Sequence, residues 1–282
     1  MSNTFSFNRF WNYFRYDLKT LRGNIGIMVL LLGLVPIIAY VFFMLFGGLF
    51  SGDFLKSLLS DARMDGPSLG ARIGIFIGST LLFAIIFPSR AYGFLTEKKA
   101  GASWLLLPAS RGEKFISMLL CSLVIVPAVY FLLYLGSDQL VCWFDRTCGD
   151  SLLTMKLGGP DGFLLKGPHD GSLLVANGFW IVYAIVAENA AIFLLGGLLF
   201  RKWKIVGTIV ALFVLNTLFT VLASTLIGHV DFSFTGEKIA EWEGRHADSL
   251  NFWLNGLIDL KVGLVLAACA VGVWFRLKTL KH

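Results

Sequence analysis

Glu188 lies at the centre of an apolar run, 174–200, and Asn216 at the centre of the next, 203–228. A carboxylate at that depth of a hydrocarbon-length helix is costly. It is expected to face a bundle interior or a cavity, where it can carry a proton or a cation. Held protonated, it can instead bond an amide of a neighbouring helix as structural glue, and matched depth makes Asn216 the natural partner. A proton-coupled carrier calls for a fuller relay of titratable groups, and His169, His229, His246 and His282 all fall outside the apolar runs. No H-E-x-x-H, G-x-S-x-G or G-x-x-x-x-G-K-S/T pattern occurs. The chain is therefore expected to be no enzyme, with no catalytic residue, metal or cofactor, and any ATP it uses must be hydrolysed by another chain. In "CWFDRTC", Cys142 and Cys148 can close a small ring as a disulfide if their face is oxidising, or stay as thiols if it is reducing. Cys121 and Cys269 lie in apolar runs and read as small buried hydrophobes.

A second constellation is the stretch 94–115, "FLTEKKAGASWLLLPASRGEKF", charged and turn-breaking between two apolar runs. Ser110 followed three residues later by Glu113 is a capping box, in which each side chain accepts from the other residue's backbone N–H, so a helix is expected to start there. Pro108 helps end what precedes it. Between them Trp104, Leu105, Leu106 and Leu107 form a short apolar element flanked by Glu97, Lys98, Lys99 and Arg111. An apolar cluster with a charged rim suits a partner's groove; the alternative is that the tryptophan and leucines dip into lipid headgroups.

The elements that must position these residues are long and apolar. Of 282 residues 56% are hydrophobic and 15% charged, and mean hydropathy is +0.75; water-soluble domains run nearer about 45–50% and about 25%. Six runs, 25–50, 73–95, 115–136, 174–200, 203–228 and 252–275, approach or exceed the ~20 residues that cross a bilayer as helix. They lack the period-2 alternation of a barrel. The expected fold is all-α: one polytopic membrane domain over 1–282 with six transmembrane helices. The first run begins only at Ile25 and is too long for a signal h-region, so no cleaved leader is expected. The last is the least regular: its helix begins near Phe252 or 252–261 form a re-entrant hairpin, and either way Asp259 and Lys261 are expected near the outer interface.

Ahead of the first run, "FSFNRFWNYFRYDLKTLRG" sets Phe7, Phe10, Trp11, Phe14, Leu18 and Leu21 on one helical face. Asn8, Arg9, Asn12, Arg15, Lys19 and Arg22 fall on the other. Residues 4–22 are thus expected to form an amphipathic helix lying at the membrane interface or, alternatively, packing on the protein itself. Two longer connections, 137–172 and 229–251, are acidic.

Orientation follows from Lys and Arg. One side, comprising 1–24, 90–114, 201–204 and the C-terminal tail, carries 15 of the 24; the other carries 9, together with 14 of the 18 acidic residues. The positive-inside rule puts both termini and the 96–114 loop in the cytoplasm. The net charge of +6 is accounted for by that bias, and no nucleic-acid partner is needed.

An interfacial elbow, six spans, termini inside, a loop between spans two and three, and an extended outer segment before span six together resemble the permease subunit of an ABC transporter of the type 2 exporter family. The stretch 94–115 is similar to a loop of small bacterial permeases of that kind, in which a basic Lys-Lys is followed by leucines, Pro-x-Ser-Arg and Glu-Lys-Phe. The resemblance implies a multi-pass protein of the bacterial inner membrane whose 96–114 loop couples to a separate ATPase through Glu97, Lys98, Lys99, Trp104, Leu105, Leu106, Leu107 and Arg111. It further implies a second permease copy or paralogue, and a hydrophobic or amphipathic substrate moved between them. The long acidic loops leave room for an extracytoplasmic partner. Competing readings are a non-transporting membrane scaffold or immunity-type protein, and an ion-coupled carrier centred on Glu188.

Overall fold

The structure, a computed structural model, describes residues 5–50, 69–97, 101, 104, 106–145, 152, 178–227 and 236–279. Among these every regular element is helical. In chain order they are α1 (Phe7–Gly33), α2 (Val35–Phe50), α3 (Leu69–Tyr92) continued by a 3-10 turn (Gly93–Thr96), and α4 (Arg111–Phe144). There follow α5 (Gly178–Leu199), α6 (Lys204–Ile227) and α7 (Gly236–Thr279). Among the described residues, four stretches are long and apolar enough to cross a membrane: Ala71–Thr96, Arg111–Phe144, Val182–Leu199 and Asp259–Thr279. The bent pair α1–α2 makes a fifth if taken as one span. The chain is a multi-pass helical membrane protein by that composition.

Several boundaries differ from the sequence reading. Residues 4–22 and the first span were expected as separate elements, yet α1 runs unbroken through Gly23 to Gly33 and the chain bends by 45° at Leu34. Glycine inside a helix costs only about 1 kcal/mol. Pro36, lacking an N–H and crowding the carbonyl four residues back, fixes the bend instead. The third expected span, 115–136, continues to Phe144 and makes Ser137, Asp138 and Val141 helical and buried. A π segment at Cys121–Ile125 precedes Pro127 and lets the helix pass the proline without stopping. At the last span the backbone is helical throughout Gly236–Thr279, so residues 252–261 are not re-entrant.

The core is built on α5, whose many apolar residues are spread around its circumference and which packs along both α3 and α7. Its small residues Ala184, Ala187, Ala190 and Ala191 are buried and allow close approach. α4 lies against α1 and α2, and α1 and α4 approach closely at Gly33, where an added Cβ would stand 2.7 Å from that of Leu133. Ser137 Oγ donates to the Gly33 carbonyl at 2.8 Å. Between α3 and α4 an aromatic stack forms, Tyr130 on Phe83 with centroids 4.2 Å apart and Phe83 on Phe87 at 5.2 Å. The Tyr130 hydroxyl is held by Ser79 and Thr80 at 3.2 and 3.1 Å. In contrast, α6 leaves residues 213–218 exposed.

Candidate functional site

The polar side chains concentrate at the two ends of the bundle. At the basic end, α4 starts with the expected capping box: Ser110 Oγ accepts from Glu113 N at 3.3 Å and Glu113 Oε2 accepts from Ser110 N at 2.8 Å. Glu113 does more than cap. It takes both forks of Arg9, Nε to Oε2 at 2.8 Å and Nη2 to Oε1 at 2.7 Å, and the Ser6 N–H at 2.9 Å. One buried carboxylate thus fastens the start of α1 to the start of α4, with charge-assisted bonds on each oxygen. One turn along α4, Ser117 Oγ donates to Asp17 at 2.6 Å, and Tyr92 of α3 donates to the same oxygen at 2.9 Å. Asp17 ties three helices together.

The loop between α3 and α4 rests on this platform. Gly101, Trp104 and Leu106 have helical backbone. Trp104 points inward and is only 7% exposed. Its indole N–H donates to Tyr13 Oη at 2.9 Å. Lys114 donates to the Trp104 carbonyl at 2.8 Å and lies over its ring at 4.5 Å. The sequence reading placed Trp104 in an exposed cluster, whereas here it is the anchor that holds the loop down. Leu107 is partly buried against the core. Leu106, 80% exposed, and Arg111 face outward. Glu97 is exposed and pairs with Lys204 at 3.2 Å. Lys98, Lys99 and Leu105 lie outside the described residues.

Glu188 and Asn216 are not brought together. Glu188 pairs with Lys261 of α7, at 2.9 Å to Oε1 and 3.3 Å to Oε2. Asn216 sits on the exposed face of α6, and its carbonyl accepts from Thr220 Oγ1 at 2.8 Å. Equal depth was a poor guide because α6 turns that face away from α5, while α7 packs directly on α5. Cys142 is half-buried near the end of α4; Cys148 lies outside the described residues, as does most of the first long acidic connection, whereas the second is helical from Gly236 as the start of α7.

At the acidic end the structure shows a pair that the sequence reading missed. Arg72, near the start of α3, donates from Nε and Nη2 to Asp138 at 3.1 and 2.7–2.8 Å, and the two side chains are 5% and 3% exposed. Asp138 also accepts from Leu152 N at 2.8 Å. Nearby, Tyr40 of α2 donates to Asp145 at 3.1 Å. A signal was present: Arg72 stands one residue before the second apolar run and Asp138 two after the third. Antiparallel helices put both at the same level.

Comparison of the chain with protein-family models, with curated proteins and with solved structures found no match. The functional reading therefore rests on the residues themselves. In chemical terms the arrangement provides an end tied together by charge-assisted bonds, with Leu106, Glu97 and Arg111 exposed, and a separate, more open ion pair between α5 and α7.

Proposed function

We propose that this chain is the membrane-spanning permease subunit of an ATP-driven exporter of the ABC type 2 kind. It crosses the bacterial inner membrane six times, with both termini and the α3–α4 loop in the cytoplasm. The sixth crossing is α6, whose 24 residues reach about 36 Å at 1.5 Å per residue. The first turns of α1 lie at the headgroup level, with Phe7, Trp11 and Tyr16 turned outward. Two permeases and two separate ATPase subunits form the working unit, and a hydrophobic or amphipathic substrate passes between the permeases. The acidic connections are open to an extracytoplasmic partner.

The observation that carries this reading is the anchored loop. A protein that takes its energy from a partner needs a contact point that transmits force instead of folding away. The α3–α4 loop is clamped from below by Trp104, Tyr13 and Lys114 and still exposes Leu106. An exposed aliphatic side chain in a loop that also exposes Glu97 and Arg111 divides the work as interfaces do, with a desolvated centre for affinity and a charged rim for orientation.

The test is pull-down of the ATPase from native membranes. Leu106→Asp is expected to lose the partner and stop transport, while the permease stays inserted and keeps its unfolding midpoint, because Leu106 supports nothing beneath it. Leu105→Asp, on the neighbouring residue, is the companion variant. Full partner retention by Leu106→Asp sinks the docking role and favours a membrane-surface anchor or a non-transporting scaffold. The Glu188–Lys261 pair is the observation that favours the second reading, an ion-coupled carrier.

A further inference from the structure

A cleft of about 630 Å3 opens at the basic end where α1, the end of α3 and the turn between α5 and α6 meet. Its polar walls are Asn24, Arg90, Glu97 and Lys204; its apolar walls are Phe94, Trp203, Ile205 and Val206. Two features make it more than a gap between helices. Arg90 lies six residues inside the end of the apolar stretch Ala71–Thr96 and, among the described residues, has neither a hydrogen-bond acceptor nor an ion-pair partner. Lys204, by comparison, is held in place by the Gly93 carbonyl at 2.8 Å and by Glu97 at 3.2 Å. The cleft therefore presents one fixed ammonium and one unengaged guanidinium against a single carboxylate.

The second feature is Trp203. Among the described residues it is the one non-glycine position with positive φ, at 56°, a conformation that costs a residue with a Cβ about 1–2 kcal/mol. Nothing in the local sequence makes tryptophan suited to that backbone. The strained turn places a large amphipathic ring, exposed to solvent, at the wall of the cleft. Tryptophan at the end of a span is most at home at the level of glycerol and headgroups.

We infer that this cleft binds the headgroup of an anionic phospholipid, its phosphate between Arg90 and Lys204. The glycerol and first acyl carbons lie along Phe94, Ile205 and Val206 under the Trp203 ring. A guanidinium suits a phosphodiester because its planar fork can give two parallel N–H bonds, while the ammonium acts as a point charge. The two exposed cations just before Trp203, Arg201 and Lys202, add to the local field that draws an anionic lipid. A soluble phosphate would use the same two cations but leave the apolar wall in water. Glu97 discourages a second negative charge, so a headgroup of net charge −1 with hydroxyls to donate, such as phosphatidylglycerol, fits best. The site needs only the membrane-spanning character of the helices; it stands whether or not an ATPase docks on the α3–α4 loop.

The full-length protein in a non-ionic detergent is titrated with phosphatidylglycerol, with phosphatidylcholine and with inorganic phosphate, following the thermal unfolding midpoint. Phosphatidylglycerol is expected to raise the midpoint saturably, and the other two to leave it unchanged. Arg90→Gln, which removes no hydrogen bond or ion pair among the described residues, should raise the half-saturating lipid concentration about fivefold, the worth of one basic residue at an anionic surface. Arg90→Lys should recover most of that loss and Glu97→Gln should bind the lipid more tightly. An Arg90→Gln titration that overlays the wild type overturns the site. So does equal stabilisation by phosphatidylcholine, while stabilisation by inorganic phosphate alone points to a free-anion site and overturns the lipid.

Discussion

The half of the molecule formed by α1, α3 and α4 and the half formed by α5, α6 and α7 treat charge in opposite ways. In the first, the carboxylates of Asp17, Glu113 and Asp138 are buried, and each receives two or more donors from other parts of the chain. In the second, Glu188 is met by a lysine that is 65% exposed, and the exposed face of α6 turns Asn216 outward. A carboxylate satisfied on both oxygens by an Arg fork has one arrangement of low energy, and its helices are fixed in register. A carboxylate met by a flexible, mostly exposed ammonium can lose that partner at less cost. The first half is therefore the frame. If the chain is the permease proposed above, movement during its cycle is expected at the α5–α7 contact.

The contrast is broken most severely at Arg72–Asp138. Asp138→Ala leaves a guanidinium buried without its counter-ion and strips Leu152 N of its acceptor; loss of one partner from a buried pair costs about 3–5 kcal/mol. The expected result is a large fall in the unfolding midpoint in detergent. Replacing both residues, Arg72→Met with Asp138→Leu, should recover much of it, because two apolar side chains of similar size need no desolvation. If Asp138→Ala unfolds within about 1 kcal/mol of the wild type, the pair is as loose as Glu188–Lys261 and the distinction between frame and moving half disappears.

A smaller effect is expected at the other end of the same frame. Ser110→Ala removes the oxygen that accepts from Glu113 N but leaves Glu113 bound to Arg9 and to the Ser6 N–H. The loss should be near the usual ~1 kcal/mol of an N-cap, read as a modest drop in midpoint with transport intact. A loss as large as that of Asp138→Ala would mean that the capping serine positions the whole Arg9–Glu113 junction instead of one turn of helix.

How far the sequence announced these parts depends on the span of each interaction. The helices were legible because hydrophobicity accumulates over twenty neighbouring residues, and the capping box because Ser110 and Glu113 are three apart. The Arg9 partner of Glu113 is 104 residues away, and the Tyr92 and Ser117 partners of Asp17 are 75 and 100 away. No local pattern encodes them. Trp104 shows a different failure: composition alone offers both an exposed cluster and a buried anchor, and the choice is made by Tyr13 and Lys114, which lie on two separate helices. Helix ends were misjudged where polar residues are buried by partners, as at Asp138, since an aspartate after an apolar run reads as the start of a loop.

The smallest effect is expected at Glu188–Lys261, and it decides between the readings of function. Lys261 is two-thirds exposed and bonds Glu188 at 2.9 and 3.3 Å, so the pair resembles a surface bridge in one partner and a buried group in the other. Lys261→Met should change stability by less than about 1 kcal/mol, because a lysine that is 65% exposed holds its partner only loosely. Glu188→Gln keeps the size and a hydrogen-bond acceptor for the lysine while removing the charge, and should likewise unfold close to the wild type. The informative readout is transport in reconstituted vesicles. For an ATP-driven permease, both variants should keep substantial ATP-dependent export, free of any link to the proton gradient, since the pair only sets how readily α5 and α7 separate. Activity that follows an imposed proton gradient in the wild type, and vanishes in Glu188→Gln at equal protein level, would move Glu188 from a hinge contact to the coupling site and make the chain an ion-coupled carrier.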